Sequence, residues 1–442
     1  MNDSAFLTSV RNFFRKDAAI GVILLVATIT ALAVANSPLN EWYEKALKLK
    51  LSVHLSSFVI EHSLKEWINE GLMALFFLVV GLEIKRELKF GELSTFRQAL
   101  LPAVAAICGA ALPGLIFYSL NAGSPNIQGW AIPMATDIAF VIGIMALLSS
   151  RIPVWARVLV TAIAVVDDII AVLIIAVFFA KQIHMVALGV AVICLLILII
   201  FNCFGVKRLQ PYLIIGFVLW GAVLKSGVHS TIAGVMLGFA IPASQRWNLE
   251  RLQEYAQKGI DLFKKAADEQ KDVSRKQAMR HMGKSHIYAK SPLHRMEDNL
   301  RPFVYFVVMP LFAFANAGLV FYPEVMSAAF SSTLSLGIVL GLFLGKQLGV
   351  FGTIWVFTKL GYSRLAPDRE IWKILYGIAL LTGIGFTMSL FIAELAFKEE
   401  KLLRIAKTGI LMGSLICGLA GSYFLSRRPA YEAEDHQAFE ES

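Results

Sequence analysis

The sequence predicts an all-α polytopic membrane protein of about twelve transmembrane helices. Three observations carry that prediction. Of the 442 residues, 57% are hydrophobic and only 17% charged. Mean hydropathy is +0.66, well above that of a soluble domain. Apolar runs of about 20 residues, long enough to cross a bilayer core, recur from end to end.

The runs centre on Ala27, Phe76, Ala110, Phe140, Asp168, Leu195, Phe217, Val235, Leu311, Phe343, Gly383 and Leu415. The first starts near Ala18, lacks a small-residue cleavage site and is followed by many more, so it reads as a span and not a removable signal. The net charge of +9 is not a nucleic-acid signature, because it is unevenly distributed. Of 41 Lys and Arg, roughly 30 fall in alternate connections that share one face, and about 10 on the other. Arg11, Arg15 and Lys16, then Lys85, Arg86 and Lys89, then Arg151, Lys207 and Arg208 make up the basic series, whereas Asn121 to Gly129 has no Lys or Arg. The connections Lys45 to Lys65 and Lys398 to Lys407 run against this trend, though each also holds Glu. The whole set places both termini in the cytoplasm.

Domain organisation follows from the same pattern. Residues 1–426 form one transmembrane domain, 243–301 is a long basic cytoplasmic loop between spans 8 and 9, and 427–442 is an acidic tail. Between the first two spans, Leu47, Leu49, Leu51, Val53 and Leu55 alternate with polar residues, the period of a half-buried strand, with Phe58 to Ile60 as its hairpin partner. Such a strand either covers its own loop or offers an edge for pairing between protomers. In the long loop, Leu249, Leu252, Ala256, Ile260 and Phe263 lie at helical spacing among Arg251, Lys258, Lys264 and Lys265. That amphipathic helix is suited either to an anionic leaflet or to a solvated connector. Cys108, Cys194, Cys203 and Cys417 lie in apolar runs without CxxC spacing or flanking His, so they read as core fillers.

The chemistry concentrates in four runs. Asp167 and Asp168 sit mid-span in TAIAVVDDIIAVLIIAVFF. One Asp at a helix centre costs about 2.5–3.5 kcal/mol on insertion, so the pair must face protein or a watery path. The fourth run, WAIPMATDIAFVIGI, carries Thr136 and Asp137, with Pro133 removing a backbone donor upstream. The eleventh, ALLTGIGFTMSLFIA, carries Gly383, Gly385 and Thr387. Interrupted helices at membrane depth are tolerated only where buried or lining a cavity. The tenth carries Lys346, whose ammonium there needs a carboxylate or helix C-terminal carbonyls nearby. Carboxylates and hydroxyls suit a small hard cation, and a carboxylate pair that takes up either cation or protons is the minimum equipment for exchanging the two.

Several stretches together resemble the bacterial sodium/proton antiporters of the NhaA type: FFLVVGLEIKREL, WAIPMATDIAF, AVVDDI, SGVHSTIAGV, MPLFAFANAG, LGKQLG and GIGFTMSLFIA, all in the family's order. The resemblance implies inverted-topology repeats with two crossing broken helices, a feature for which this family is itself a standing example. It implies that Asp167 and Asp168 bind the transported Na+ or Li+ and exchange protons. Asp137 would offset the positive helix ends at the crossing; Lys346 would offset the negative ends and pair with Asp167 when the cation is absent. Glu83, Arg86, Glu87, His229 and Glu297 match positions linked to pH response, with a plain anchoring cluster as the alternative for the acidic and basic members and a structural role for His229. Glu83 and Glu87, four apart on a helix, repel each other. The resemblance further implies an extracytoplasmic β-hairpin that joins a homodimer near Leu47–Leu55, residence in the bacterial inner membrane among lipids, and no cofactor beyond the transported ions. This chain departs from the pattern in Gln347, where the family commonly has Pro, in the acidic Glu394, and in the length of the loop before Glu297. The expectation is an electrogenic, pH-regulated Na+(Li+)/H+ antiporter and not an enzyme. The alternatives are a proton-gated cation channel or an intramembrane aspartyl enzyme, although the YD and GxGD patterns of such proteases are missing.

Overall fold

The computed structural model describes residues 17–55, 58–180, 183–244, 249–269, 279, 290–321, 323–361 and 369–427. The acidic tail and most of the polar stretch before Lys290 lie outside the described residues. In chain order the elements are α1 (Asp17–Ala35), α2 (Asn40–Lys48), β1 (Lys50–Leu55), β2 (Phe58–Ser63), α3 (Leu64–Phe90), α4 (Phe96–Asn121) and α5 (Pro125–Leu147). Then come α6 (Val154–Phe178), α7 (Met185–Cys203), α8 (Leu209–Ser226), α9 (Thr231–Ala240) and α10 (Leu249–Glu269). The series closes with α11 (Pro292–Ala317), α12 (Pro323–Ser331), α13 (Thr333–Lys359), α14 (Arg369–Ala396) and α15 (Glu400–Ser426). Among the described residues, eleven of these are long and apolar enough to cross a membrane: α1, α3 to α8, α11 and α13 to α15. The protein is a multi-pass, almost wholly helical membrane protein.

The chain divides into two compact units. The first comprises residues 1–73, 87–181 and 305–442. Its core is the pairing of α13 with α4. Gly341, Gly345 and Gly349 recur every four residues along α13 and let its backbone touch α4 and α5. A Cβ at Gly345 would lie 2.6 Å from the Cα of Pro113, and one at Gly349 would lie 2.5 Å from the Cys108 carbonyl oxygen. In the absence of a strong hydrophobic force between helices in lipid, such small-residue contact is what holds spans together. Around Lys346, α13 widens into two π-type turns, Gly341–Gly345 and Gln347–Phe351.

The hairpin of this unit pairs β1 and β2 antiparallel, with Lys50 opposite Ser63 and Leu55 opposite Phe58. It starts later than the alternation predicts, for Leu47 lies in the last turn of helix α2. Ion pairs Glu41–Lys45 and Glu44–Lys48, each one helical turn apart, favour helix there over strand. The hairpin passes directly into α3 through a capping box, in which Ser63 and Glu66 satisfy each other's backbone amides.

The second unit comprises residues 74–86 and 182–304. Here the run centred on Val235 forms only the ten-residue α9. Gly227, with φ +83°, turns the chain just before it, and Pro242 lies beyond its end, so the backbone cannot continue helical in either direction. The carbonyls at its C-terminus are met by side chains. The Lys85 ammonium donates to Phe239 and Ile241 at 2.6 and 2.5 Å, and the Asn202 amide donates to Ala240 at 2.8 Å. Gly238 brings α9 onto α3, since a Cβ there would lie 2.9 Å from the Gly81 carbonyl carbon.

Candidate functional site

Both interrupted helices break where the sequence suggests. α5 is tight 3-10 turn through Pro125–Gly129 and Ile132–Met134, extended at Ala135 to Asp137, and α-helical from Ile138 to Leu147. α14 is helical over Arg369–Leu381, leaves the helix at Thr382 to Gly385, and resumes over Phe386–Ala396. The two breaks are hydrogen-bonded to each other. The Asp137 amide donates to the Ile384 carbonyl at 2.7 Å, the Thr136 hydroxyl to the Thr382 carbonyl at 2.9 Å, and the Ser389 hydroxyl to the Ile132 carbonyl at 2.7 Å. Gly385 permits this approach, since a Cβ there would lie 2.9 Å from the Ala135 carbonyl oxygen, and Gly383 likewise fits against the Leu342 carbonyl.

Asp137 caps two helices at once. Its Oδ1 accepts from the amide of Phe140, one turn into the second half of α5, at 3.1 Å. Its Oδ2 accepts from the amide of Thr387 in the second half of α14 at 2.9 Å, and from the Thr387 hydroxyl. A carboxylate thus meets the positive ends of both half-helices, each worth about 0.5–2 kcal/mol as a cap.

Asp167 and Asp168 lie near the middle of α6, both buried. The Lys346 ammonium donates to Asp167 Oδ2 at 2.7 Å, with the two side chains 0% and 1% exposed. The Thr136 hydroxyl reaches the same oxygen at 2.7 Å. Asp167 Oδ1 is buried with no hydrogen-bond partner. A buried acceptor left so costs about 1–3 kcal/mol, which a cation held against it would recover. Thr136, Asp137, Asp167, Lys346, Gly383, Gly385 and Thr387 therefore stand together around one crossing. The carbonyls of Thr382 and Ile384 are met by the Thr136 hydroxyl and the Asp137 amide.

The residues matched to pH response distribute differently. In the second unit, Arg86 pairs with the buried Glu297, and Arg301 lies 3.8 Å from the buried Glu83. His229 in the same unit is buried beside the start of α9, its carbonyl accepting from Ile232 at 3.1 Å. Glu87 belongs to the first unit, where its carboxylate accepts from the Glu92 amide at 3.3 Å.

Sequence reasoning missed Ser389, Arg301 and Lys85, which act on backbone carbonyls or on charges far away in the chain. It also missed the lysines around Glu394, whose Oε1 accepts from Lys65 at 2.6 Å and from Lys407 at 2.7 Å. Glu394 near the end of the eleventh run is one signal for that cluster, but in sequence Lys65 and Lys407 read as ends of outer connections, where a lysine does not require a buried partner.

Known proteins place this architecture. The profile of the Na+/H+ antiporter 1 family matches residues 11–425. The chain is 45% identical over 438 residues to a Na(+)/H(+) antiporter NhaA of Caulobacter vibrioides, covering 98% of this chain and 95% of the relative. It is 44% identical over 435 residues to one of Rhodospirillum rubrum, covering 96% of this chain and the whole relative. It is 42% identical over 428 residues to an NhaA 2 of Syntrophotalea carbinolica, covering 96% and 97% respectively. With a match of this extent and the two broken helices bonded at their interruptions, the chain belongs to the Na+/H+ antiporter 1 family.

Proposed function

We propose that this protein is a secondary transporter that expels Na+ or Li+ in exchange for a larger number of protons, electrogenically and under pH control. The observation that supports it best is the buried Lys346–Asp167 pair, with one Asp167 oxygen unpartnered, at the crossing of two interrupted helices. Asp167 and Asp168 hold the ion in oxygen ligands of the kind a hard cation prefers. When it is absent, Lys346 neutralises Asp167; when it arrives, it displaces the ammonium. Protons compete for the same carboxylates, so ion and protons bind in turn. Asp137 keeps the two positive helix ends compensated throughout, and Thr136, Thr387, Gly383 and Gly385 shape the crossing. The two repeats rock about it to expose it alternately.

On this reading Glu83, Arg86, Glu87, His229 and Glu297 tune the pH response. The protein resides in the bacterial inner membrane with both termini cytoplasmic, pairs as a homodimer through the hairpin near Leu47–Leu55, and needs no cofactor or nucleic acid. Everted vesicles test the proposal. A respiration-generated ΔpH collapses on adding Na+, and exchange weakens as pH falls and protons occupy the carboxylates. No collapse anywhere from about pH 6.5 to about pH 9, the window in which Na+ competes with protons for perturbed carboxylates, rejects antiport. Asp168→Asn abolishes the response; wild-type exchange in that variant rejects the site. Conductance without obligatory counter-transport in a solid-supported membrane indicates a channel instead.

A further inference from the structure

α13 is held from two sides at the level of Lys346. One side is the glycine face on α4. The other carries Gln347, two residues from both Gly345 and Gly349 and so on the opposite side of the helix. Gln347 is buried, and its Oε1 accepts from the Tyr376 hydroxyl on α14 at 2.9 Å. Its Nε2 is buried without an acceptor, so shielding this amide is unfavourable in itself and a plain apolar residue would pack there without that penalty. Tyr376 is pre-positioned: its ring stands edge-to-face with Phe351 at 5.3 Å and with Phe424 at 5.2 Å. Between the two restraints the backbone consists of wide π-type turns, which tie it less firmly than α-helix and are frequent at functional sites.

We propose that the Gln347–Tyr376 bond is a positioning contact that sets how strongly Lys346 holds Asp167 against an incoming cation. It ties the lysine-bearing turn of α13 to the first half of the interrupted α14, in the direction the glycine face leaves free. This rests on the reading of Lys346 and Asp167 as competitor and ligand for the transported ion. Loosening the ammonium weakens the sodium ion's competitor, so sodium binds at lower concentration.

Two variants test it in vesicles, Tyr376→Phe, which keeps both ring contacts, and Gln347→Met, which keeps the volume. Each is expected to retain the maximal rate within about two-fold and to lower the apparent KM for Na+ about two- to five-fold. Because both remove one and the same bond, the double variant matches either single one instead of summing them. The inference is overturned if Tyr376→Phe leaves KM at its wild-type value, or if the two KM shifts add. It is also overturned if only the melting temperature and maximal rate fall, the mark of a merely structural role. Asp168→Asn separates the levels: if that variant abolishes exchange while these two do nothing, this inference alone is wrong, whereas full exchange in Asp168→Asn removes the reading beneath it.

Discussion

Lys346 and Asp167, 179 positions apart in the chain, meet at 2.7 Å with essentially no solvent on either side chain. Neither charge tolerates that environment alone. Lys346→Met leaves a buried carboxylate uncompensated, at an expected cost of about 3–5 kcal/mol. Thermal unfolding in detergent measures this as a lowered Tm. The loss is recovered when saturating Na+ binds the folded state, and likewise when acid neutralises Asp167. A Lys346→Met protein that melts like the wild type at neutral pH without sodium means the pair is not charged.

Asp137 caps two half-helices, so its truncation is felt twice. Asp137→Ala is expected to cost about 1–4 kcal/mol, the sum of two caps. Asp137→Asn keeps an oxygen for one of them and falls in between. Thr387→Val removes the hydroxyl but not the amide donor, and costs less than either. Equilibrium unfolding of the three variants ranks them; a smaller loss for Asp137→Ala than for Thr387→Val contradicts the shared cap.

Glu394 stands between two ammonium groups, Lys65 and the well-buried Lys407. Removing the carboxylate leaves like charges facing each other. Glu394→Gln is expected to lose about 2–3 kcal/mol, at the low end for a buried pair because Lys65 keeps partial solvent. Adding Lys407→Met to Glu394→Gln restores most of it, which a double-mutant cycle reads directly. Purely additive losses would mean that the three groups do not act together.

The glycines of α13 make a paired comparison. Gly345→Ala drives a Cβ into the backbone of Pro113 and is expected to cost about 1–3 kcal/mol, with impaired exchange as Lys346 is displaced. Gly352→Ala, two turns on, has nothing within 4 Å of the added carbon and gains about 0.5–1 kcal/mol from helix propensity. Equal effects of the two in thermal melts would remove the case for close packing.

Hydropathy reveals a span because both lipid and a packed interior demand apolar side chains, and the eleven long helices were legible for that reason. The run at Val235 was not, because its length is decided by the turn at Gly227 and by Pro242 and not by its apolar content. Leu47 was misplaced because alternation and helical ion pairs overlap in the same residues, and the ion pairs win locally. At the site, the residues that announce themselves are those expensive to bury: Asp137, Asp167, Asp168 and Lys346. Their settings stayed hidden. The carbonyls of Thr382 and Ile384 have no signature in sequence, and Ser389 looks like any small polar residue in a span. The π-type turns around Lys346 lie where α13 packs closely against α4 and α5, and the local residues do not foretell them.

The Thr136 hydroxyl carries a single hydrogen and lies within bonding reach of two oxygens, on Asp167 and on the Thr382 backbone. It can serve only one of them at any instant. Whatever contents Asp167 by other means frees that hydrogen to fasten α5 to α14, and whatever leaves Asp167 wanting draws it away. The clasp between the two interrupted helices thus keeps a record, in one proton, of whether the acid beside it has company.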